Sequence, residues 1–313
     1  MKILVTGGGG FIGSHLVEAL VARGDEVRVL DDFSTGKKAN IEHLLDRVDL
    51  IEGSLTSFHD CATATEGMSF VLHQGAIPSV PRSIAEPFRT NKTNVTGTIN
   101  LLDAARSNSI KRVIYASSSS VYGDSPMLPK VETMPPNPKS PYALQKYAAE
   151  AYMRMYHQFH GLETISLRYF NVFGPHQDPE GGYAAVIPKF ITAMLKGESP
   201  LIHGDGQHAR DFCYIDNVVS ANLLALEASE KACGQTFNIA CGDMITLGTL
   251  VDEINAILGT EIKPTHGPER AGDVQLSKAD VTQAKEMLGY EPSFAFLYGL
   301  GRTVRWYLDE HNK

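Results

Sequence analysis

The chain has 313 residues, of which 43% are hydrophobic and 20% charged, and its formal net charge at pH 7 is −8. This length allows a large buried core, in one large domain or two closely packed ones, and the negative charge argues against nucleic acid as the main partner. No apolar run approaches the roughly 20 residues that cross a bilayer, and the opening MKILVTG already has a strand-and-turn pattern, so we expect no membrane association and a cytoplasmic location.

Short apolar runs alternate with helical patterns in the first half of the chain. The runs KILVTG, EVRVLD, VDLIEG, FVLHQG and RVIYASS are typical of strands. The stretches FIGSHLVEALVARGD and NVTGTINLLDAARSNSI carry apolar residues at helical spacing and end in residues that suit helix termini. Such alternation predicts parallel strands joined by crossover helices, and therefore an α/β fold with a doubly wound parallel sheet.

Beyond Gly174 the pattern is less regular and mostly helical. Proline and glycine accumulate between Pro126 and Pro141 and between Gly174 and Gly182, where we expect loops over a functional site. We predict a parallel-sheet domain in residues 1–172 and a smaller, mostly helical lobe in residues 173–313, with chain crossings between them. The helices predicted in this second part are Ala184–Lys196, Asn217–Ser229, Leu247–Leu258, Lys278–Leu288 and Ala295–His311.

A glycine-rich turn, GGGGFIG, follows the first predicted strand. Gly7, Gly10 and Gly13 fit the pattern GxxGxxG, in which glycines permit a tight turn, the approach of a diphosphate and close packing of helix on strand. The amino terminus of the helix offers unpaired N–H groups to that diphosphate. An ordinary strand-to-helix turn is the alternative interpretation.

Asp31 stands at the end of the second predicted strand and supports the dinucleotide interpretation. A carboxylate at this place binds the ribose hydroxyls of adenosine and repels a 2′-phosphate. We therefore expect a Rossmann domain that binds NAD rather than NADP.

Tyr142 and Lys146, in the stretch YALQK, are four residues apart and share one face of a predicted helix. An unperturbed tyrosine has a pKa of about 10, and we expect the lysine ammonium and a bound nicotinamide to favour the phenolate. The stretch YASSSSVYG adds hydroxyl donors at the end of the fifth strand, where open parallel sheets bind ligands. The alternative is a tyrosine and a lysine on a solvated helix face.

The four cysteines, Cys61, Cys213, Cys233 and Cys241, show neither CxxC spacing nor a paired histidine pattern. Both features are typical of metal-binding or redox sites. We therefore expect buried thiols and no metal centre.

These motifs resemble those of the extended short-chain dehydrogenase/reductase family, and further segments resemble its UDP-sugar 4-epimerases. The resemblance covers nearly the whole chain and is far more specific than the glycine pattern. The segment of residues 167–190 is closest to the subgroup that acts on UDP-N-acetylglucosamine. The matching segments are SVPRS (79–83), NVTGT (94–98), SPYALQKYAAE (140–150), LRYFNVFGPHQDPEGGYAAVIPKF (167–190), GDGQHARDFCYIDN (204–217) and RAGDVQLSKAD (270–280).

The resemblance implies a catalytic role for Ser118, Tyr142 and Lys146. In such enzymes Tyr142 removes the proton of the sugar 4-hydroxyl while a hydride passes from C4 to NAD, and Lys146 holds the nicotinamide ribose. Ser118 hydrogen-bonds the same hydroxyl, with Ser119 and Ser120 as alternative donors because four serines in a row leave the register open. The 4-keto sugar then rotates about its link to the diphosphate and takes the hydride back on its other face.

The resemblance also implies a set of cofactor contacts. Two departures from the family pattern affect it: Ser54 replaces the aspartate that contacts the adenine amino group, and Gln74 and Gly75 replace small apolar residues. The implied contacts are Gly7, Gly10, Phe11, Ile12, Gly13, Asp31, Asp32, Ser34, Gly36, Ser54, Leu55, Gln74, Gly75, Ala76, Asn94, Tyr142, Lys146 and Tyr169.

A UDP-sugar is the implied substrate, and arginine suits its diphosphate. Ser277 matches the position that borders the 2-substituent of the hexose, where a serine leaves room for an N-acetyl group; capping of the following helix is its alternative role. The other implied substrate contacts are Ser118, Ser119 and Ser120 at the sugar, Arg210, Arg270 and Asn171 at the phosphates, Asp273 at the uridine ribose, and Ala185, Val186 and Leu201 to His203 at the uracil.

Four alternatives to this function remain at this stage. A UDP-glucose 4-epimerase restricted to non-acetylated sugars is the nearest. Nucleotide-sugar dehydratases and decarboxylases usually carry acidic residues where Ser119 and Ser120 stand, which favours epimerisation. A catalytically inactive NAD-binding sensor is the non-enzymatic alternative. Relatives dimerise through two helices, which here correspond to Thr93–Arg106 and Pro141–His160, so we expect a homodimer.

Overall fold

The computed structural model of this protein describes residues 1–179, 185–269 and 275–312. The strands, in chain order, are β1 (Lys2–Thr6), β2 (Glu26–Asp31), β3 (Asp49–Glu52), β4 (Phe70–His73), β5 (Arg112–Ser118), β6 (Glu163–Tyr169), β7 (Val172–Phe173), β8 (Leu201–His203), β9 (Ala209–Arg210), β10 (Cys213–Tyr214), β11 (Gln235–Ile239), β12 (Ile245–Thr246) and β13 (Thr265–Gly267).

The helices, in chain order, are α1 (Phe11–Arg23), α2 (Phe58–Thr65), α3 (Val80–Ala85), α4 (Pro87–Asn91), α5 (Gly97–Ser107), α6 (Pro141–His160), α7 (Val186–Leu195), α8 (Ile215–Glu227), α9 (Leu247–Leu258), α10 (Thr282–Leu288) and α11 (Phe296–His311). Short 3-10 turns occupy Lys38–Leu44, Ser119–Tyr122 and Glu230–Ala232, and a wider π turn at Lys92–Thr96 leads into α5.

Seven strands form one sheet in the order β11-β6-β5-β4-β1-β2-β3, and every neighbouring pair is parallel. The strand order reverses between β1 and β4, which is where open α/β sheets bind their ligands. The predicted doubly wound parallel sheet is therefore confirmed.

Helices cover both faces of this sheet because successive strand residues point to opposite sides. Ile3 and Val5 of β1 join the core on the face covered by α1 and α8, whereas Leu4 joins the core against α2, α5 and α6. All three side chains are completely buried. A strand buried on both faces is near-continuously apolar, which is why β1 reads ILV in the sequence.

The second part of the chain contributes to the sheet as well as to a separate lobe. β11 pairs with β6 in register from Gln235 with Ile165 to Ile239 with Tyr169. Outside the large sheet, β7 pairs with β10, β9 with β12 and β8 with β13. The chain thus crosses back into the large sheet after residue 173, and the division at residue 172 stays a prediction.

One predicted helix begins later than expected, since α10 starts at Thr282 instead of Lys278. The preceding residues lie alongside Lys130, whose backbone N–H donates to Lys278 O at 2.7 Å and whose carbonyl accepts from Asp280 N at 2.9 Å. These contacts hold residues 278–280 extended. Ser277 therefore does not cap the helix.

Within the described residues, no helix is long and apolar enough to cross a membrane. All four cysteines are free thiols, and Cys61, Cys213 and Cys233 are buried. Burial raises the pKa of Cys61 to about 12, so this thiol is an unreactive part of the core.

Candidate active site

A bare backbone turn joins β1 to α1 at the carboxyl edge of the sheet. Gly7 has a φ of +71°, and a Cβ there would lie 2.7 Å from the backbone of Gly75. A Cβ on Gly13 would lie 2.0 Å from the carbonyl oxygen of Gly7. Side chains are therefore excluded from the turn, which leaves the amino terminus of α1 open to a diphosphate.

Asp31 stands at the end of β2, beside this turn. One carboxylate oxygen accepts a hydrogen bond from Gly9 N and the other from Phe33 N, both at 2.8 Å. Burial raises the pKa of Asp31, and the two N–H donors oppose that shift. These two hydrogen bonds hold the carboxylate in place, and its remaining lone pairs can accept hydrogen bonds from ribose hydroxyls.

A cleft of about 480 Å³ runs from the glycine turn to α6. Most of the predicted cofactor contacts line it, and Ala185 from the predicted uracil contacts does so too. The predicted residues that line the cleft are Gly7, Gly10, Phe11, Ile12, Gly13, Asp31, Asp32, Ser34, Gly36, Leu55, Gln74, Gly75, Ala76, Tyr142, Lys146, Tyr169 and Ala185. Together with the glycine turn and Asp31, this lining fits a dinucleotide.

Two predicted cofactor residues, Ser54 and Asn94, do not line the cleft. Ser54 Oγ donates to the Asp32 carboxylate at 3.2 Å, so Ser54 contacts a residue that lines the cleft without lining the cleft itself. Asn94 is buried, and its amide accepts from Ile77 N at 2.7 Å and donates to Ile77 O at 3.1 Å. Asn94 therefore holds the backbone of a lining residue.

The three predicted catalytic residues meet where β5 ends beside α6. Ser118 lies close enough to Tyr142 to lower the pKa of its phenol. Lys146 Nζ donates to Ala116 O at 2.8 Å and lies 5.9 Å from the centre of the Tyr142 ring. Ser140 caps the helix by accepting from Ala143 N at 3.2 Å, which starts α6 just before Tyr142.

Burial, rather than the nearby ammonium, dominates the acid–base properties of this pair. It raises the pKa of Tyr142 to about 12, and Ser118 opposes the shift. It also lowers the pKa of Lys146 to about 8, while the Glu150 carboxylate opposes that shift. The expectation that the lysine ammonium and a bound nicotinamide favour the phenolate stays a prediction, and both would act against the burial of the phenol.

Comparison with known proteins identifies the family of this chain. Residues 3–240 match the NAD dependent epimerase/dehydratase family. The chain belongs to this family. A putative UDP-glucose 4-epimerase of Methanocaldococcus jannaschii is 39% identical over 307 residues, which are 97% of each chain.

Two solved structures of family members have nearly the same fold. The UDP-N-acetylglucosamine 4-epimerase of Methanobrevibacter ruminantium, in complex with UDP-N-acetylmuramic acid, has a TM-score of 0.94 at 39% identity, covering 99% of this chain and 98% of that one. The UDP-glucose 4-epimerase of Thermotoga maritima with UDP-glucose has a TM-score of 0.94 at 39% identity, covering 99% of this chain and all of that one.

These findings confirm the resemblance drawn from the sequence. The protein is an extended short-chain dehydrogenase/reductase of the UDP-sugar 4-epimerase type, an isomerase with NAD as its cofactor.

Six predicted substrate residues of this epimerase do not line the cleft: Asn171, Val186, Leu201, His203, Arg210 and Ser277. The Arg210 guanidinium donates to Gln275 O at 3.0 Å, and Asn171 donates to Asp211 O at 3.2 Å. Ser277 N donates to Ala209 O at 3.0 Å, which brings Ser277 next to Arg210. Val186 begins α7, and Leu201 and His203 bound β8. Arg270 and Asp273 lie outside the described residues.

Several residues of the epimerase cleft were missed from the sequence. Lys37 and Asn40 follow β2, and Lys37 N and the Asn40 amide both donate to Gly9 O, at 2.8 and 2.9 Å. Arg82 reaches the cleft from α3, and His176 and Gln177 reach it from the loop after β7. Arg82 belongs to the segment SVPRS, and His176 and Gln177 belong to FGPHQD. The resemblance of these segments to the family was the signal in the sequence that could have identified the three residues.

Proposed function

We propose that this protein interconverts UDP-N-acetylglucosamine and UDP-N-acetylgalactosamine, and also UDP-glucose and UDP-galactose, by NAD-dependent 4-epimerisation. The observation that carries the proposal is that Tyr142 and Lys146 together line a cleft that fits a dinucleotide, beside the end of β5 that carries Ser118. Because Ser118 lies close to Tyr142, it is favoured over Ser119 and Ser120 as the hydroxyl that meets the substrate.

The bound nicotinamide supplies a reversible hydride acceptor for C4 of the sugar. Tyr142 takes the proton of the 4-hydroxyl in the first half of the reaction and returns it to the 4-keto oxygen in the second. Ser118 hydrogen-bonds the same oxygen and fixes its position. Lys146 contributes positive charge within 6 Å of the phenol ring and stabilises the phenolate as it forms.

Dehydration and decarboxylation are disfavoured by the residues that follow Ser118. Ser119 and Ser120 offer only neutral hydroxyls, and Ser120 Oγ donates to Ser118 Oγ at 2.9 Å. Neither side chain acts as a strong acid or base at neutral pH. A sensor without activity is disfavoured by the intact Ser118, Tyr142 and Lys146, and turnover of a UDP-sugar would exclude it.

Binding of the UDP moiety is assigned to the second part of the chain. Arg210 and Arg270 carry the charge that a diphosphate requires, and Asn171 supplies an amide donor. Asp273 accepts from the uridine ribose. The uracil lies against the backbone of Ala185, Val186 and Leu201 to His203.

The range of sugars is assigned to Ser277. This residue is half-buried, lies next to Arg210 and does not cap α10. Among the described residues, its hydroxyl has no hydrogen-bond partner, so it is available to the amide of an N-acetyl group. Its small volume accommodates the acetylated sugars as well as the plain hexoses.

The substitution Ser277→Tyr tests this proposal. We expect it to abolish turnover of the acetylated pair and to spare UDP-glucose and UDP-galactose, because the added ring blocks only the larger 2-substituent. Products are separated after incubation with each of the four UDP-sugars. Leu276→Tyr adds a similar ring to the exposed neighbour, and we expect it to affect neither pair. Equal loss of both pairs in Ser277→Tyr would give Ser277 a structural role only.

A homodimer is proposed through α5 and α6. Four large apolar side chains of α6, Leu144, Tyr152, Met155 and Phe159, are between 36% and 70% exposed. Their spacing places them along one side of the helix. An apolar stripe of this kind suits a symmetric helix pairing with a second copy of the chain.

A further inference from the structure

Three successive residues of β5 contact three positions of α6 that are one helical turn apart. Ser118 lies close enough to Tyr142 to lower the pKa of its phenol, the carbonyl of Ala116 accepts from Lys146, and Ser117 donates to Glu150. Tyr142, Lys146 and Glu150 follow one another at intervals of four residues and therefore share one face of the helix. The proposed mechanism uses the first two of these contacts and leaves the third without a role.

The Glu150 carboxylate is part of a buried ion pair. It accepts from Arg168 Nε at 2.9 Å and from the second Arg168 nitrogen at 2.8 Å, in addition to the bond from Ser117. Glu150 is 3% exposed and Arg168 is 4% exposed. The guanidinium also lies 4.7 Å from the centre of the Tyr122 ring. The carboxylate thus ties α6 to both β5 and β6.

The Lys146 ammonium lies between this ion pair and the reacting groups. Tyr115 of β5 and His73 of β4 face it from the sheet, with the Tyr115 ring centre at 5.0 Å, while Tyr142 and Glu150 face it from its own helix. Among these four groups, Glu150 alone carries a carboxylate, and its charge favours the protonated form of Lys146.

We propose that Glu150 is a positioning residue of this epimerase: through Ser117 and Arg168 it holds the end of β5 against α6, and so sets the places of Ser118 and Lys146. This inference rests on the proposed function, since its consequence is the alignment of these two groups with the sugar 4-hydroxyl and the nicotinamide ribose. A displacement of about 1 Å in such groups costs about 100-fold in rate.

The first test compares Glu150→Gln with Glu163→Gln in the holoenzyme. Glu163 forms a partly buried pair with Arg112, at 2.7 Å, which joins β5 to β6 at the ends where the two strands begin, away from Ser117 and Arg168. We expect both variants to unfold at lower temperature. Only Glu150→Gln should lower kcat, by about 10- to 100-fold, with KM for the UDP-sugar within about threefold of wild type. Equal kcat values in the two folded variants would overturn the proposal.

The second test needs no substrate and uses a double variant, so it can be carried out even where Glu150→Gln alone does not fold. Glu150→Gln combined with Arg168→Met removes both charges and leaves no unpaired one buried. The pKa of Lys146 is followed by NMR on protein with 13C-labelled lysine side chains, and Lys146→Arg identifies its signal. We expect the pKa of Lys146 to fall below its wild-type value in the double variant and to stay unchanged in Glu163→Gln.

An unchanged Lys146 titration in the folded double variant would overturn the proposal. A rise towards the ordinary lysine value, like a fall, would support it, because that result would mean that water had entered a site that Glu150 no longer holds together. Absence of UDP-sugar turnover in the wild type would instead refute the proposed function, while the titration would still report on Glu150.

Discussion

Tyr142 shows how burial and charge compete at a single residue. A lysine one turn away suggests a lowered pKa, yet burial of the phenol raises the pKa of Tyr142 to about 12. Desolvation disfavours the phenolate, and the Lys146 charge is partly offset by the Glu150 carboxylate. We therefore expect Tyr142 to form a phenolate only when substrate and cofactor add their own charges and hydrogen bonds.

Replacement of the phenol oxygen tests this residue directly. We expect Tyr142→Phe to retain NAD and UDP-sugar binding and to lose turnover by about 100- to 10,000-fold, since only the proton-transferring group is removed. Binding is measured by calorimetry and turnover by product separation.

Tyr122 provides the matched control for that substitution. Its hydroxyl donates to Asn238 at 2.6 Å inside the core, so Tyr122→Phe should reduce stability and keep most of the turnover. Near-wild-type turnover in Tyr142→Phe would identify another base, with Tyr122 the first to be examined.

Asp31 sets the choice of cofactor. Because its buried carboxylate is held by Gly9 N and Phe33 N, a 2′-phosphate would stand against a fixed negative charge. We expect NAD to bind at least about 100-fold more tightly than NADP, since such like-charge contacts cost several kcal/mol. Titration of the protein with both cofactors measures the ratio, and equal affinities would contradict the role of Asp31.

At the scale of elements, the start of α1 depends on glycine for close packing. A Cβ on Gly13 would meet the Gly7 carbonyl at 2.0 Å, whereas a Cβ on Gly301, within α11, would meet nothing within 4 Å. The same substitution at these two helical positions should therefore have opposite effects.

Gly13→Ala should lower the free energy of unfolding by about 1–3 kcal/mol and weaken NAD binding, because the glycine turn must move away from the new methyl group. Gly301→Ala should raise the free energy of unfolding by about 0.5–1 kcal/mol and leave NAD binding unchanged. Denaturant titration and calorimetry measure both quantities. A Gly13→Ala variant as stable as wild type would show that α1 can shift along β1.

Helix α6 serves two purposes with its opposite faces. Its buried face presents Tyr142, Lys146 and Glu150 to β5, and its exposed face carries the apolar stripe that ends in Phe159. Leu144 of the stripe lies between Tyr142 and Lys146 in the sequence, so the proposed catalytic and dimer contacts are kept apart by facing opposite sides of the helix.

At the scale of the whole molecule, the proposed homodimer is tested by charge on this stripe. Met155→Glu combined with Phe159→Glu should convert a dimer into a monomer, because two buried carboxylates per subunit would lack partners. Sedimentation measures the mass. Leu297→Glu, on the exposed side of α11, should leave the dimer intact. A wild-type chain that sediments as a monomer would remove the basis for the dimer.

Strands and helices of the first half were predictable because their signals are local. Strands β1 to β5 and helices α1 and α5 follow from apolar runs, glycine turns and residues that suit helix termini. Strands β6 and β11 were not predicted. Each joins the sheet through pairing with a strand that is distant in sequence, and such pairing depends on the completed sheet rather than on a local pattern.

The sequence by itself determined the class of fold, the family, the cofactor and the residue types of the catalytic set, because these depend on short patterns such as GxxGxxG and YxxxK. Tertiary structure decided that burial dominates the pKa of Tyr142, that Lys146 donates to the carbonyl of Ala116, and that Glu150 pairs with Arg168 behind the site. Each of these depends on distances between β5, β6 and α6. Only packing of the folded chain sets such distances and the desolvation that accompanies them.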